Sequence, residues 1–166
     1  MTTHVTTDQV QWWLDDTAVQ SVTAEDEEET EFNLRVTLSR LPIHLIKEYE
    51  QGPLRVVGRN AFDTERSREL LADDEARGQL LDRIGPILAT TPGFYTFLDE
   101  NDDACELRDA ELIQMEHRLY SEETTQQALM DSVMAIASGM RYIQNVVSAT
   151  RPDPPNEDRD DDGTAE

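Results

Sequence analysis

The chain reads as an α+β protein: an antiparallel sheet of about five to six strands flanked by helices, with a long C-terminal helix on the sheet. Three observations lead there. Between Val19 and Val57, short apolar runs alternate with turn signals, which favours an antiparallel meander. A helical region follows, then two further strands. Last comes the longest apolar pattern in the chain: Leu129, Val133, Ile136, Met140, Ile143 and Val147 recur at alternating steps of four and three. That spacing places all six on one helical stripe. The expected order is α-β-β-β(-β)-α-β-β-α in a single domain over residues 1–150. Residues 151–166, rich in Pro and acid, form a disordered tail.

Residues 1–6 read as a loose leader. Thr6 or Thr7 can cap a short helix with Val10, Trp13 and Leu14 on one face and Trp12 beside it. Val19–Ala24 is a first strand, and the acid-rich run Glu25–Glu31 a solvated turn. Phe32, Leu34, Val36 and Leu38 alternate with polar residues, so the even positions face the core. Pro42 interrupts before a strand through Ile43 and Leu45. Gln51-Gly52-Pro53 is a turn, and Leu54, Val56 and Val57 continue the sheet. Asp63 and Thr64 open a helical region in which Asp73 caps a second segment, and Pro86 should kink or end it. Phe94–Leu98 is a strand, Asp99–Asp103 a polar turn, and Ala110–Tyr120 a longer strand whose apolar residues suggest a bulge or two buried sides. Ser121 caps the last helix, with Glu122 and Glu123 in its first turn. From about Glu122 to Val147 it would run about 39 Å.

The 166 residues carry a formal charge of −22, with 36 Asp and Glu. Of the 14 cationic residues only Lys47 is lysine; the other 13 are arginine. Many carboxylates and almost no lysine form the pattern of an extreme halophile's cytoplasmic protein. In molar salt the Debye length is about 3 Å, so the acids stop repelling at range and serve to hold water. The acidity argues against nucleic-acid and anionic-membrane partners. Nothing reads as a signal peptide or a membrane span. The single Cys105 leaves no internal disulfide, and its acidic neighbours disfavour a reactive thiolate.

Chemistry is sparse. His4, His44 and His117 are scattered and read as surface residues, and no zinc-type cluster exists. Asp99, Asn101 and Asp103 imitate the start of a calcium loop. Ala104 stands where Gly is needed and Ala110 where the bidentate acid belongs, so a polar hairpin turn is the reading. No phosphate loop, dinucleotide fingerprint or nucleophile elbow is present. Neither a cofactor nor a metal is expected. Arg35, Arg55 and Arg59 fall on neighbouring strands and read as partners of nearby acids. The seam of the last helix fits packing on its own sheet, with dimerisation through the same helix as an addition.

Taken together, Trp13-Leu14, the strand Phe32–Leu38, Pro42-Ile43-His44-Leu45, Leu54-Arg55-Val56-Val57, Asp73–Glu75, the strand Ala110–Tyr120 and the helix after Ser121 resemble an archaeal family, domain-of-unknown-function family 2299. The resemblance spans about residues 7–149. It implies a fold similar to bacterial type III secretion chaperones, which often dimerise and hold extended segments of partner proteins. It supplies no active-site residues. The expected function is therefore protein binding, as a chaperone-like adaptor or homodimer. Trp12, Trp13, Met130, Met134 and Met140 are the candidate contact residues, since methionine repacks readily around varied partners. The alternative is an enzyme or small-ligand binder whose site, around His44, His117 and Arg55, assembles only in three dimensions. The charge carries its own prediction: circular dichroism should show native structure in molar KCl and its loss on dialysis to low salt.

Overall fold

The computed structural model describes residues 4–25, 28–122 and 124–150. Ten helices and strands follow in order: α1 (Thr7–Trp13), β1 (Val19–Glu25), β2 (Phe32–Leu38), β3 (Leu41–Lys47), β4 (Leu54–Ala61), α2 (Glu65–Ala72), α3 (Asp74–Thr90), β5 (Phe94–Leu98), β6 (Leu112–Leu119) and α4 (Gln126–Ala149). The six strands form one sheet in the order β1-β2-β3-β4-β6-β5, with every neighbouring pair antiparallel. The α+β class, the element order and the position of the long helix agree with the sequence.

Local chemistry sets most boundaries. Thr6, Thr64, Asp73 and Thr125 each accept a hydrogen bond from a first-turn backbone N–H of the helix that follows. β2 and β3 meet in a two-residue turn, Ser39-Arg40, with φ of 50° and 66°. Both residues lie in the left-handed region that such hairpins require, without the usual Gly or Asn. The turn is held from outside: Arg40 N donates to Gln20 Oε1 at 3.0 Å, and the Arg141 guanidinium donates to the Ser39 carbonyl.

Four local expectations need correction. Pro42 lies inside β3, opposite Thr37. A two-residue turn makes that pair the non-hydrogen-bonded kind, so the proline nitrogen points away from β2. On its other side β4 pairs only from Ile43 onward, so no donor is missed. Pro86 does not end α3, which runs on to Thr90; the proline sits on the exposed side, where the carbonyl left without its helical partner is open to solvent. The last helix is capped by Thr125 rather than Ser121, and its first turn has no acid. Thr124 Oγ1 instead donates back to the Tyr120 carbonyl at 2.7 Å. The leader is anchored at residues 4–6: Lys47, almost fully buried, donates from Nζ to the Val5 carbonyl at 2.9 Å. The acidic tail lies outside the described residues.

The core lies on one face of the sheet. Leu34, Val36, Ile43, Leu45, Leu54, Val56, Ile113 and Met115 point to α4, α3 and α1. From α4 come Leu129, Val133, Ile136, Met140 and Ile143, all at most 1 % exposed, with Val146 rather than Val147 completing the stripe. The helix comes closest at Gly58 of β4, where a Cβ would sit 2.5 Å from Met140 Sδ and 2.6 Å from Ile136 Cγ2. Polar groups tie the same layers: Asn60 Nδ2 donates to the Met140 carbonyl at 3.2 Å, and His117 Nδ1 lies 2.8 Å from Ser132 Oγ.

Two predictions follow from this packing. Gly58→Val should overpack the contact and lower stability by about 1–3 kcal/mol, read by denaturant unfolding in molar KCl. Reductive methylation of the native protein should spare Lys47, with mass spectrometry showing its modification only after unfolding.

Candidate functional site

The other face of the sheet carries no helix among the described residues. Because side chains alternate, the residues that face away from the core come together there: Asn33 and Arg35 of β2, His44 and Ile46 of β3, Arg55, Val57 and Arg59 of β4, Glu116 and Arg118 of β6. The pairings Arg35↔His44, His44↔Val57 and Val57↔Glu116 form one row across it, and Asn33↔Ile46, Ile46↔Arg55 and Arg55↔Arg118 the next.

Glu116 anchors this face. Its side chain is 1 % exposed and lies between two arginines. Arg55 donates from Nε to Oε1 at 2.8 Å and makes a second contact from Nη2, while Arg118 donates from Nε to Oε2 at 2.7 Å. Arg55 reaches on to Glu48 Oε1 at 2.7 Å. Burial pushes the Glu116 carboxyl up, but the hydrogen bonds and charges of Arg55 and Arg118 outweigh it and hold the carboxyl below its ordinary value. The Arg118 guanidinium also lies 5.6 Å from the centre of the Phe94 ring. Arg59 donates from Nε to Gln114 Oε1 at 2.9 Å.

Beside this cluster is a cavity of about 680 Å³, floored by His44, Ile46 and Val57 and walled by Glu29, Asn33, Tyr49, Arg55 and Arg59. Asn33 is 3 % exposed, and its Oδ1 has no hydrogen-bond partner among the described residues. A second depression, of about 440 Å³, lies on the helix side between the β2–β3 turn and α4. Leu38, Leu41, Met134, Ala137 and Tyr142 line it.

The two sheet edges differ. β5 is short, and the chain folds back on its C-terminal end: Ala104 bridges to Leu98, and Cys105 N donates to the Phe97 carbonyl at 2.9 Å. β1 has β2 on one side and no neighbour among the described residues on the other. Its residues 20–24 are exposed, and the strand contains neither Lys nor Pro.

No family model matches the sequence, and no curated protein matches it. The fold is similar to the crystal structure of an uncharacterized protein from Methanothermobacter thermautotrophicus. The TM-score is 0.70 at 10 % identity, over 87 % of this chain and 98 % of that one. At that identity the likeness shows a shared fold.

The residues singled out in the sequence are distributed as follows. Trp12 is 80 % exposed on α1, and Met134 is 42 % exposed in the smaller depression. Trp13 is half-buried against the core, its carbonyl accepting from Gln126 Nε2 at 3.0 Å. Met130 and Met140 are core residues at 9 % and 1 % exposure, so neither offers a contact surface. His44 and Arg55 do share the cavity, but His117 points the opposite way, toward α4, where it is half-buried against Ser132. The three do not form one site. Arg35, Arg55 and Arg59 do share a face, with Arg55 alone among them in ion pairs among the described residues. Cys105 is half-buried, and burial followed by Asp99 and Asp109 pushes its thiol up. Among the described residues no three His, Cys, Asp or Glu side chains gather to hold a metal, and no helix is long and apolar enough to cross a membrane. The sequence reading passed over Asn33 and Glu116. The available signal for Glu116 was an acid in the middle of a strand that pairs with the arginine-bearing β4; Asn33 stood out only as a polar residue at an outward-facing strand position.

The clamp on Glu116 has a measurable sign. A carboxyl held down in the fold stabilises it above its ordinary 4.5 and loses that contribution as pH falls through the folded value. The stability difference between wild type and Glu116→Gln should therefore be constant near neutrality and shrink on acidification below about pH 4.5. Arg55→Met, which leaves Glu116 half-clamped, should cost about 3 kcal/mol in denaturant unfolding.

Proposed function

We propose that this chain is a protein-binding module, an adaptor or chaperone-like protein of a salt-rich archaeal cytoplasm, and that it takes an extended partner segment as an added strand on β1. The supporting observation is the contrast between the edges. A sheet edge presents a row of unpaired N–H and C=O groups, and proteins commonly block it with a covering segment, lysine or proline. Residues 104–105 cover the last two residues of the five-residue β5, whereas none of the seven residues of β1 has a neighbour on its outer side among the described residues. Strand addition draws affinity from main-chain hydrogen bonds and specificity from pockets for alternate side chains.

Such a pocket lies close by. Val19 of β1 pairs with Leu38, and Leu38 lines the apolar depression with Met134 and Tyr142. The helical layer centres on β3, β4 and β6, which leaves Val22 of β1 38 % exposed on the same side of the sheet. A segment laid along β1 would find hydrogen-bonding groups at the edge and an apolar slot at one end. The resemblance to family 2299 leads to the same reading, as does the charge pattern to the habitat.

The test is affinity capture from source-cell lysate in molar KCl with three baits: wild type, Val22→Lys and Met134→Asp. The expected result is one stoichiometric protein partner on wild type, weakened at least tenfold by either substitution. A bait that recovers nothing, or a partner held equally by all three, overturns the proposal. Recovery of a second copy alone replaces the adaptor with a homodimer joined at β1.

A further inference from the structure

The two ends of β1 differ in charge. Past Glu25 the chain carries Glu28, Glu29 and Glu31. Beside Val19, at the other end, lies the apolar depression of about 440 Å³, whose one charged lining residue among the described residues is Arg141. No described acid lines it, in a chain that has 36. The Arg141 guanidinium is fixed there by its Nη2, which donates to the Ser39 carbonyl, and it has no carboxylate partner among the described residues. Met134 and Tyr142 are 42 % and 43 % exposed, so the apolar wall is open to an incoming group. We propose that the segment added on β1 is the C-terminus of a partner chain, with an apolar last side chain in this depression and the terminal carboxylate on Arg141. The inference rests on strand addition at β1 and specifies which part of the partner is taken.

Three arguments carry this. The first is charge. A guanidinium beside an apolar slot fits a group that is apolar and anionic at once, and the last residue of a chain is both when its side chain is apolar. A direct guanidinium–carboxylate contact acts at about 3 Å, no further than the Debye length of molar salt, so screening does not remove it. The second is direction. A segment antiparallel to β1 brings its C-terminus to the Val19 end, whereas a parallel one would bring its N-terminal ammonium toward Arg141. The third is the bulge. β1 and β2 shift register between Val19 and Ser21, and the Gln20 side chain turns to the β2–β3 hairpin, where it accepts from Arg40 N at 3.0 Å. Bulges at sheet edges terminate pairing, so a segment bonded along residues 21–25 leaves the edge at that point. From an added strand to Leu38 is two strand spacings, about 10 Å. About three extended residues cover that distance. A partner therefore uses about eight residues, the last three of them crossing Val19 into the slot.

The probe is a peptide of about eight residues, alternating threonine and valine and ending in leucine, labelled with fluorescein at its N-terminus and made both as the free acid and as the C-terminal amide. Fluorescence anisotropy with the full chain in molar KCl should show saturable binding of the acid and at least tenfold weaker binding of the amide. Arg141→Gln should weaken the acid tenfold or more and bind the amide as wild type does. That difference separates a lost carboxylate contact from a disturbed β2–β3 turn, which would weaken both peptides. Met134→Asp and Val22→Lys should each weaken both at least tenfold. Equal binding of acid and amide by wild type, unchanged binding of the acid by Arg141→Gln, or equal weakening of both peptides by that substitution overturns the C-terminal inference. Strand addition at β1 survives those outcomes wherever Val22→Lys still removes the binding. Absence of saturable binding of the acid by wild type also overturns the inference, and strand addition then stands or falls with the lysate capture.

Discussion

The close approach of α4 to β4 at Gly58 governs the rest of the molecule. With no side chain at that point, Ile136 and Met140 settle directly on the sheet backbone, and the helix lies across β3, β4 and β6. That placement decides which side of β3, β4 and β6 is dry. It draws Asn60 and His117 under the helix, where each finds a partner on α4, and leaves the alternate residues of the same strands on an uncovered face. One helix thus creates both the core and the surface that carries the chemistry.

The distribution of positive charge belongs to the same logic. In a chain with 36 acids, Arg35, Arg55, Arg59 and Arg118 share the uncovered face. The sole lysine is almost fully buried: Lys47 is 2 % exposed and holds down the N-terminal segment. Burial lowers its ammonium's pKa, while Glu31 and Glu50 act against that. The described exposed cations are therefore all arginines, whose weakly hydrated, planar guanidinia form directed contacts with carboxylates and carbonyls. Glu116 with Arg55 and Arg118, and Ser39 with Arg141, are contacts of that kind.

Fold and site were unequally legible in the sequence. The fold was accessible because periodicity is a local property: the stripe Leu129–Ile143 and the alternation Phe32–Leu38 each report which side is buried without knowledge of any neighbour. Strict residue types misled where geometry excused them. Pro42 is harmless beyond the end of a ladder, Pro86 on a wet helix face, and Ser39-Arg40 can turn because Arg141 and Gln20 brace them. The site was harder to read because it is a property of pairing. Nothing along the chain says that Glu116 lies beside both Val57 and two arginines, or that Met140 faces a glycine rather than solvent. Methionines at 130 and 140 looked adaptable by type, and only the helix rotation shows that they are core while Met134 is not.

The Glu116 clamp also bears on how the sheet comes to be assembled correctly. β6 joins β4 across an intervening stretch that holds α2, α3 and β5, so this is the most distant strand pairing in the chain and the slowest kind to find. Sliding β6 by one residue would exchange its faces, sending the carboxylate beneath α4 and Met115 into water. An ionised group stranded in an apolar layer is far costlier than a displaced methyl. The long-range pairing is therefore confined to a single alignment, and β6 carries the charge that penalises any other register.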